Sequence, residues 1–110
     1  MTDHPAPPLP AHIDLRDFSF MPLDVLRLRD SRLSILATGD EFRAAVLLWC
    51  AAWHQTPAAS LPNDDGELCH LAGLGRDMKA WRKVKERALH GFTLCCDGRL
   101  YHSVIAEKAL

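Results

Sequence analysis

Residues 76–90 combine basic side chains with helical spacing, a pattern that could bind a polyanion. Six basic residues face two acidic ones in this stretch, a net charge of +4 in a chain whose formal net charge is -1. The remainder of the chain is therefore left at -5, so the positive charge is concentrated in one place. On a helical wheel the apolar side gathers Met78, Trp81, Val84, Ala88 and Leu89. The opposite side gathers Lys79, Arg82, Lys83, Glu86, Arg87 and His90.

One basic residue, Lys85, falls on the apolar side of this wheel. We expect its aliphatic stem to lie along the core while the ammonium reaches out of it.

A glycine-rich turn precedes the basic helix and a β-prone segment follows it. Ala72-Gly73-Leu74-Gly75 supplies the turn, and Gly91 ends the helix before residues 92–102. Asp97-Gly98 between two β-prone runs predicts a hairpin with a two-residue turn. That turn would pair Cys96 with Arg99, Cys95 with Leu100 and Leu94 with Tyr101.

This order of elements is typical of a winged helix-turn-helix, which is mainly α with a small β-hairpin and belongs to the α+β class. We therefore predict that the chain binds double-stranded DNA, with the 76–90 helix in the major groove and the 92–102 hairpin as the wing. The residues predicted to contact DNA are Arg76, Lys79, Arg82, Lys83, Arg87 and Arg99.

Two helices are predicted before the turn. Thr38-Gly39-Asp40-Glu41 forms a capping box ahead of an apolar helix, Phe42 to Gln55, which we expect to be central and buried. Thr56-Pro57 ends it, and residues 57–62 are predicted to be a loop. Asn63 or Asp64 would cap the next helix, with Asp64 and Asp65 favoured at its start by the helix dipole.

The pattern of prolines near the beginning of the chain predicts a flexible arm followed by one short helix. Four of the seven prolines lie within residues 1–12, so residues 1–20 are expected to form a flexible arm. Pro22 would occupy the first position of a short helix, with Leu23, Leu26 and Leu33 available for packing. Residues 21–110 would form the winged-helix domain. A helix beginning at Val104 indicates that a longer protein continues beyond it.

Composition narrows the class of protein. With 110 residues and 48% hydrophobic content, the chain can form one core, and it contains no apolar run of the roughly 18 residues needed to span a membrane. The absence of a signal-peptide pattern indicates a cytoplasmic protein. The four cysteines lie in regular elements and are expected to be reduced.

Catalytic and metal sites are not indicated. Cys50 and His54 lie four apart, but neither CxxC nor HxxxH spacing occurs, so we expect no metal and no cofactor. No catalytic triad, phosphate loop or dinucleotide motif is present, which argues against an enzyme. The tryptophans fall on apolar helix faces, and no exposed aromatic surface for stacking single-stranded bases is expected.

Several of these segments together resemble a known family. They are Pro22-Leu23-Asp24, Leu47-Leu48 with Trp53, Leu61-Pro62-Asn63-Asp64-Asp65, Leu71-Ala72-Gly73, Trp81, Phe92, and Asp97-Gly98-Arg99-Leu100-Tyr101-His102. From Pro22 to Leu110 the chain resembles the YdaU-like family of bacterial and prophage domains of unknown function. The resemblance implies a winged-helix domain from replication modules near helicase-loader genes, with no catalytic residues. Arg43-Ala44-Ala45 stands where that family often has Gly-Ala-Tyr, and the proline-rich arm is additional.

Two functions follow from these patterns. The first is a DNA-binding regulator of transcription or a replication-initiation factor of a mobile element. The second is a protein-interaction module in which the central helix, residues 23–36 and the arm form a homodimer or dock a helicase loader.

Overall fold

The computed structural model describes residues 4–10 and 12–109, and it contains helices together with one small sheet. In chain order the elements are α1 Val25–Arg29, α2 Arg32–Leu36, α3 Gly39–Trp53, β1 Ser60–Pro62, α4 Asp65–Leu71, α5 Met78–Ala88, β2 Phe92–Leu94, β3 Arg99–His102 and α6 Ser103–Ala109. The α+β class is therefore confirmed. The predicted arm and domain also include residues 1–3, 11 and 110, which lie outside the described residues.

The sheet has the order β1-β3-β2, and both pairings are antiparallel. Its first strand corrects the prediction of a loop over residues 57–62. Leu61 pairs with Leu100 and is completely buried, as is Ser60. The strand has only three residues and its partner lies about 40 positions along the chain, so no local alternation of apolar and polar residues marked it.

The predicted β2–β3 hairpin forms, but its register differs by one residue. Leu94 pairs with Leu100, and Cys95 N–H donates to the Arg99 carbonyl at 2.9 Å. A two-residue type I′ turn needs positive φ at both central positions, and only Gly98 has it, at 84°. The chain instead forms a longer turn, closed by Gly98 N–H donating to the Cys95 carbonyl at 3.0 Å.

Helix α3 is the central element, as predicted. The capping box is present: Glu41 N–H donates to Thr38 Oγ1 at 3.1 Å, and Thr38 N–H donates to Glu41 Oε1 at 2.8 Å. Its buried residues are Ala44, Ala45, Leu48, Ala52 and Trp53. Although it is the longest helix at 15 residues, no helix in the described part of the chain is long and apolar enough to cross a bilayer.

Residues 18–36 form two short helices where the sequence predicted one. Pro22 precedes α1 and is not its first residue, because Asp24 is the cap and its Oδ1 accepts from Arg27 N–H at 3.0 Å. Ser31 then begins α2 by accepting from Ser34 N–H. The expected packing of Leu23 and Leu26 is wrong, since both are exposed, and only Leu33 of the three is buried.

The proline-rich segment lies against the rest of the protein over its described residues. Leu9 and Leu15 are buried in the main core. Cys96 N–H donates to the Pro5 carbonyl at 2.7 Å, which joins this segment to the hairpin turn. At its end, the Phe18 carbonyl accepts from Trp53 Nε1 at 3.2 Å, and His54 Nε2 lies 2.6 Å from the same oxygen.

Candidate nucleic-acid interface

Helix α5 has one buried face and one basic face, as the helical wheel predicted. It is shorter than residues 76–90, because Asp77 caps it by accepting from Ala80 N–H at 3.0 Å. Trp81, Val84 and Ala88 are buried, and they pack the helix against α3. The buried face fixes the rotation of the helix, so the opposite face must be presented to solvent.

The outward face of α5 carries cations that are not neutralised within the fold. The predicted DNA-contacting side chains on this face are Lys79, Arg82, Lys83 and Arg87; Arg87 is half-buried and the others are exposed. The exposed Arg76 precedes the Asp77 cap, outside α5, and borders a different depression with Asp64 and Glu67. Within the described residues, none of these five side chains makes a hydrogen bond or an ion pair. Arg82, Lys83 and Arg87 share a shallow depression with His90 and two carboxylates, Glu41 and Glu86. Cations remain in excess over carboxylates on this face.

Lys85 makes a contact that its prediction did not include. Its ammonium lies 2.8 Å from Asp65 Oδ1 and forms a half-exposed ion pair with it. Trp81 Nε1 donates to the same carboxyl oxygen at 2.9 Å. The Lys85 ammonium, followed by the Trp81 indole, lowers the pKa of Asp65. Asp65 thus links α4 to α5.

Asp65 is the positioning residue that the sequence analysis missed. Both Asp64 and Asp65 were assigned to the start of α4, and the structure separates their roles. Asp64 is the cap and accepts from Glu67 N–H at 2.9 Å. The signal that pointed to Asp65 was Lys85 itself, because a cation on an apolar face needs a carboxylate nearby.

The turn between α4 and α5 requires glycine. Gly73 has φ of 82°, and a Cβ at this position would lie 2.8 Å from Leu47 Cδ1. Gly75 also has a positive φ, of 63°. A side chain at Gly73 would be strained both by its backbone conformation and by helix α3. Glycine at position 73 therefore allows the turn to lie directly against helix α3.

The hairpin holds Arg99 within the fold. Its Nε donates to Ser60 Oγ at 2.8 Å and its second guanidinium nitrogen donates to Gln55 Oε1 at 3.1 Å. Asp97 accepts from Arg99 N–H at 3.0 Å and from the Tyr101 hydroxyl at 2.6 Å. Burial, followed by this hydrogen bond to Asp97, raises the pKa of Tyr101. The exposed tip consists of Cys96, Asp97 and Gly98.

Exposed aromatic side chains are present, contrary to expectation. Phe18 is 56% exposed and Phe20 is 87% exposed. Both precede α1, and Phe20 lines a groove with Phe42, Val46 and Trp49 of α3 rather than the basic face of α5. These aromatics therefore belong to a second surface.

Metal-ligating residues do not converge in the part of the chain that the structure describes. Residues 4–10 and 12–109 contain no group of three histidine, cysteine, aspartate or glutamate side chains that could hold an ion. Cys50, Cys69, Cys95 and Cys96 are all free thiols. Burial raises the pKa of the Cys69 and Cys95 thiols.

A protein-family model matches most of the chain. The model of DUF1376, a family described as protein of unknown function, matches residues 19–109. This span covers every helix and strand from α1 to α6. No curated protein and no solved structure matches the chain.

Proposed function

The chain belongs to this family of unknown function, and we propose from its geometry that it is a winged-helix domain that binds double-stranded DNA. The order α3, β1, α4, α5, β2, β3 and the sheet order β1-β3-β2 support this fold. In this arrangement α4 and α5 are the helix-turn-helix, α5 is the recognition helix and the turn at residues 95–98 is the wing. The resemblance to YdaU-like domains favours the same fold.

The observation that carries the proposal is the division of α5 into a buried face and a cationic face without internal partners. Trp81 and the pair formed by Asp65 with Lys85 hold the helix in place. The side chains of Arg76, Lys79, Arg82, Lys83 and Arg87 make no hydrogen bond or ion pair in the described part of the chain. Ionic contacts that are not used within the fold are available for phosphates, where each releases a counterion.

In the proposed complex, α5 enters the major groove. The exposed Arg82 and Lys83 lie near the middle of the helix and would reach base edges, where guanine offers two acceptors to an arginine. Lys79 and Arg87 lie toward the ends of the helix and Arg76 lies in the turn before it, so these three would contact phosphates on either side. Phosphate contacts position the protein, and base contacts would give it sequence preference.

Arg99 has a different place in the proposal. Its guanidinium donates to Ser60 and Gln55, so a contact with DNA would require these bonds to be exchanged for bonds to phosphate or to the minor groove. Asp97 at the tip of the wing also opposes a polyanion. We therefore assign most of the binding free energy to α5 and a smaller part to the wing.

The test is the affinity of the chain for duplex DNA over a range of salt concentrations. Replacing Lys79 and Arg87 with alanine should weaken binding and reduce the slope of log K against log salt by about two, one for each phosphate contact removed. The matched control replaces Arg29 and Arg32, two exposed arginines outside α5, and should leave the slope near the wild-type value.

Two outcomes would overturn the assignment of α5. One is that the α5 double variant binds duplex as wild type does. The other is that both double variants lose affinity equally, which would mean that binding depends on net charge and not on this helix.

Selection of bound fragments from genomic DNA separates a regulator from a replication initiator. A palindromic site indicates a two-fold dimer, and tandem repeats favour an initiator.

A second candidate function, self-association, is favoured by the exposed apolar residues of residues 18–36. The large hydrophobic side chains exposed on the described residues are Phe18, Phe20, Leu23, Val25, Leu26, Ile35 and Leu36. Such a concentration is typical of an interaction surface. Acidic and basic residues lie among them, including Asp24, Arg27 and Asp30. A second copy related by a two-fold axis could therefore cover the apolar residues and pair the charged ones.

The test of self-association is the molar mass measured by light scattering. Replacing Leu26 and Ile35 with serine should lower the molar mass of a dimer to that of the monomer. A wild-type chain that stays monomeric at high concentration would exclude the homodimer, and this surface would then be assigned to a different protein such as a helicase loader.

A further inference from the structure

A cavity of about 240 Å³ lies between residues 21–33, the end of α5 and the start of α6. Its walls are mainly apolar and include Met21, Leu28, Leu33, Trp49, Val104 and Ile105. Pockets for drug-sized molecules usually occupy about 300–1,000 Å³, so this cavity would hold a smaller molecule. Its lining shares His90 with the depression that Arg82, Lys83 and Arg87 line.

Two polar groups lie in the aromatic wall of the cavity. The Trp49 indole Nε1 is buried and has no hydrogen-bond partner in the described part of the chain. A buried donor without an acceptor costs about 1–3 kcal/mol. His102 is 9% exposed and packs edge-on against Trp49 and Phe92, with ring centroids 6.1 and 5.0 Å away.

The His102 ring is neutral at pH 7. Burial, followed by the nearby His90 and Arg27, lowers its pKa to about 4. Its Nδ1 is the acceptor for Ile105 N–H at 3.5 Å, which leaves the ring hydrogen on Nε2. Gly91 lies directly over that atom, where a Cβ would overlap it. The cavity therefore has a neutral aromatic wall and no buried charge.

Charged and polar groups line the rim. Arg27 and Lys108 lie there with Asp24 and His90. Asp24 caps α1 through Arg27 N–H, so one of its oxygens is engaged. Arg27 forms an exposed ion pair with Glu107 at 3.4 Å, while Lys108 has no ion pair among the described residues. An anionic group would find its opposite charge at this rim.

We propose that this cavity binds a small apolar carboxylate, with the hydrocarbon part against Trp49 and Ile105 and the carboxylate at the rim beside Lys108 and Arg27. Apolar walls bind the hydrocarbon part, and the rim cations select the anion over a neutral molecule of the same shape. The proposal does not rest on DNA binding, since no residue of the outward face of α5 lines the cavity apart from His90 at its end.

The probe for the test is 3-phenylpropionate, and 3-phenylpropan-1-ol is its neutral match. Titration followed by two-dimensional NMR should give saturable shifts of the Trp49 indole N–H and of the His102 ring. The carboxylate should bind at least about fivefold more tightly than the alcohol, the difference expected of one charge-assisted contact at a solvent-exposed rim. Equal binding of the two compounds would overturn the assignment of an anion.

Variants then locate the site. Lys108→Gln should weaken binding of 3-phenylpropionate about fivefold and leave binding of the alcohol unchanged, whereas Arg32→Gln, which removes an exposed cation outside the cavity, should change neither. Val104→Trp should fill the cavity and abolish both. The Val104 variant is read only after its thermal unfolding shows a folded chain, and Lys108 supplies the test if it does not fold. Binding unaffected by Lys108→Gln, or no saturable shift at millimolar probe, would overturn the proposal.

Discussion

Helix α5 and residues 18–36 both contain apolar and charged residues. The apolar residues of α5 are buried, whereas most of those in residues 18–36 are exposed. In α5 the apolar residues Trp81, Val84 and Ala88 are buried and the cations are exposed. In residues 18–36 seven large apolar residues are exposed, and of the residues in α1 and α2 only Leu33 is buried. Apolar side chains therefore position α5, whereas in residues 18–36 most of them are available for other contacts.

The lengths of the helices explain this difference. Helix α5 has 11 residues, about three turns, and its apolar stripe faces the long helix α3. Helices α1 and α2 have five residues each, so neither forms a continuous stripe. Caps at Asp24 and Ser31 begin them, and the bonds to the Phe18 carbonyl hold the preceding chain against α3. A long amphipathic helix is positioned by its core face, and a short one by polar contacts at its ends.

The largest expected effect is a loss of stability, and it is tested by replacing one aromatic residue in each region. Trp81→Ala should lower the free energy of unfolding by about 3–5 kcal/mol, because the side chain is completely buried and its loss leaves a cavity and an unpaired Asp65 contact. Phe20→Ala should change it by no more than about 0.5 kcal/mol, since Phe20 is 87% exposed. Urea unfolding measures both. A Phe20 variant as unstable as the Trp81 variant would remove the distinction between the two regions.

The next largest effect is the pH dependence of stability caused by His102, which lies between the two regions. Burial lowers the pKa of His102 from 6.5 to about 4, so the unfolded chain takes up a proton that the folded chain excludes. Stability is then complete above about pH 6.5, falls as the pH decreases, and levels off below about pH 4, for a loss of about 3 kcal/mol.

The measurement is urea unfolding of wild type and His102→Gln at pH 7.5 and pH 4. The variant should be less stable at pH 7.5 but should lose about 3 kcal/mol less than wild type on acidification. Contributions that are common to the two chains cancel in this difference. Parallel losses in the two chains would show that His102 is not the titrating group.

Much of the α3–α5 region followed from the sequence. The capping box at Thr38 and the buried face of α5 are local patterns of this region, and both are confirmed. The helix near residue 104 was likewise predicted from its local sequence and is confirmed. Strand β1 and the pair of Asp65 with Lys85 depend on residues distant in sequence, and no local periodicity contains them. The hairpin was predicted, but its register depended on the φ of a single residue, Asp97, which the dipeptide pattern does not determine.

The interface residues also divide into those that local sequence patterns predicted and those that depend on contacts distant in sequence. The cations of α5 were identified from helical spacing, and their exposure follows from the burial of the opposite face. The bonds of Arg99 to Ser60 and Gln55 could not be predicted, because they depend on β1, which was expected to be a loop. In residues 18–36, spacing indicated packing at Leu23 and Leu26, but helices of five residues do not hold both against the core.

A smaller effect tests what holds α5 besides its apolar face. Asp65→Ala removes the partner of Lys85 and leaves the Trp81 N–H without its acceptor, so it should cost about 1–2 kcal/mol. Asp65→Asn keeps an acceptor oxygen for Trp81 and removes only the charge. The pair with Lys85 is about half exposed, so this variant should lose no more than about 1 kcal/mol. Equal losses in urea unfolding would mean that the charge, not the indole bond, stabilises α5.

The smallest effect concerns the caps, which are chemically similar in the two regions. Asp77→Ala removes the cap of α5 and should lower global stability by about 1 kcal/mol, because α5 unfolds together with the core.

Ser31→Ala removes the cap of α2 and the bond from Ser31 Oγ to the Leu28 carbonyl at 2.7 Å. If residues 18–36 open independently of the core, its global cost should be only about 0.3 kcal/mol. Hydrogen exchange should instead become faster at the amides of Ile35 and Ala37, which donate to the Ser31 and Leu33 carbonyls. An equal global loss in both variants would show that residues 18–36 unfold with the core, as α5 does.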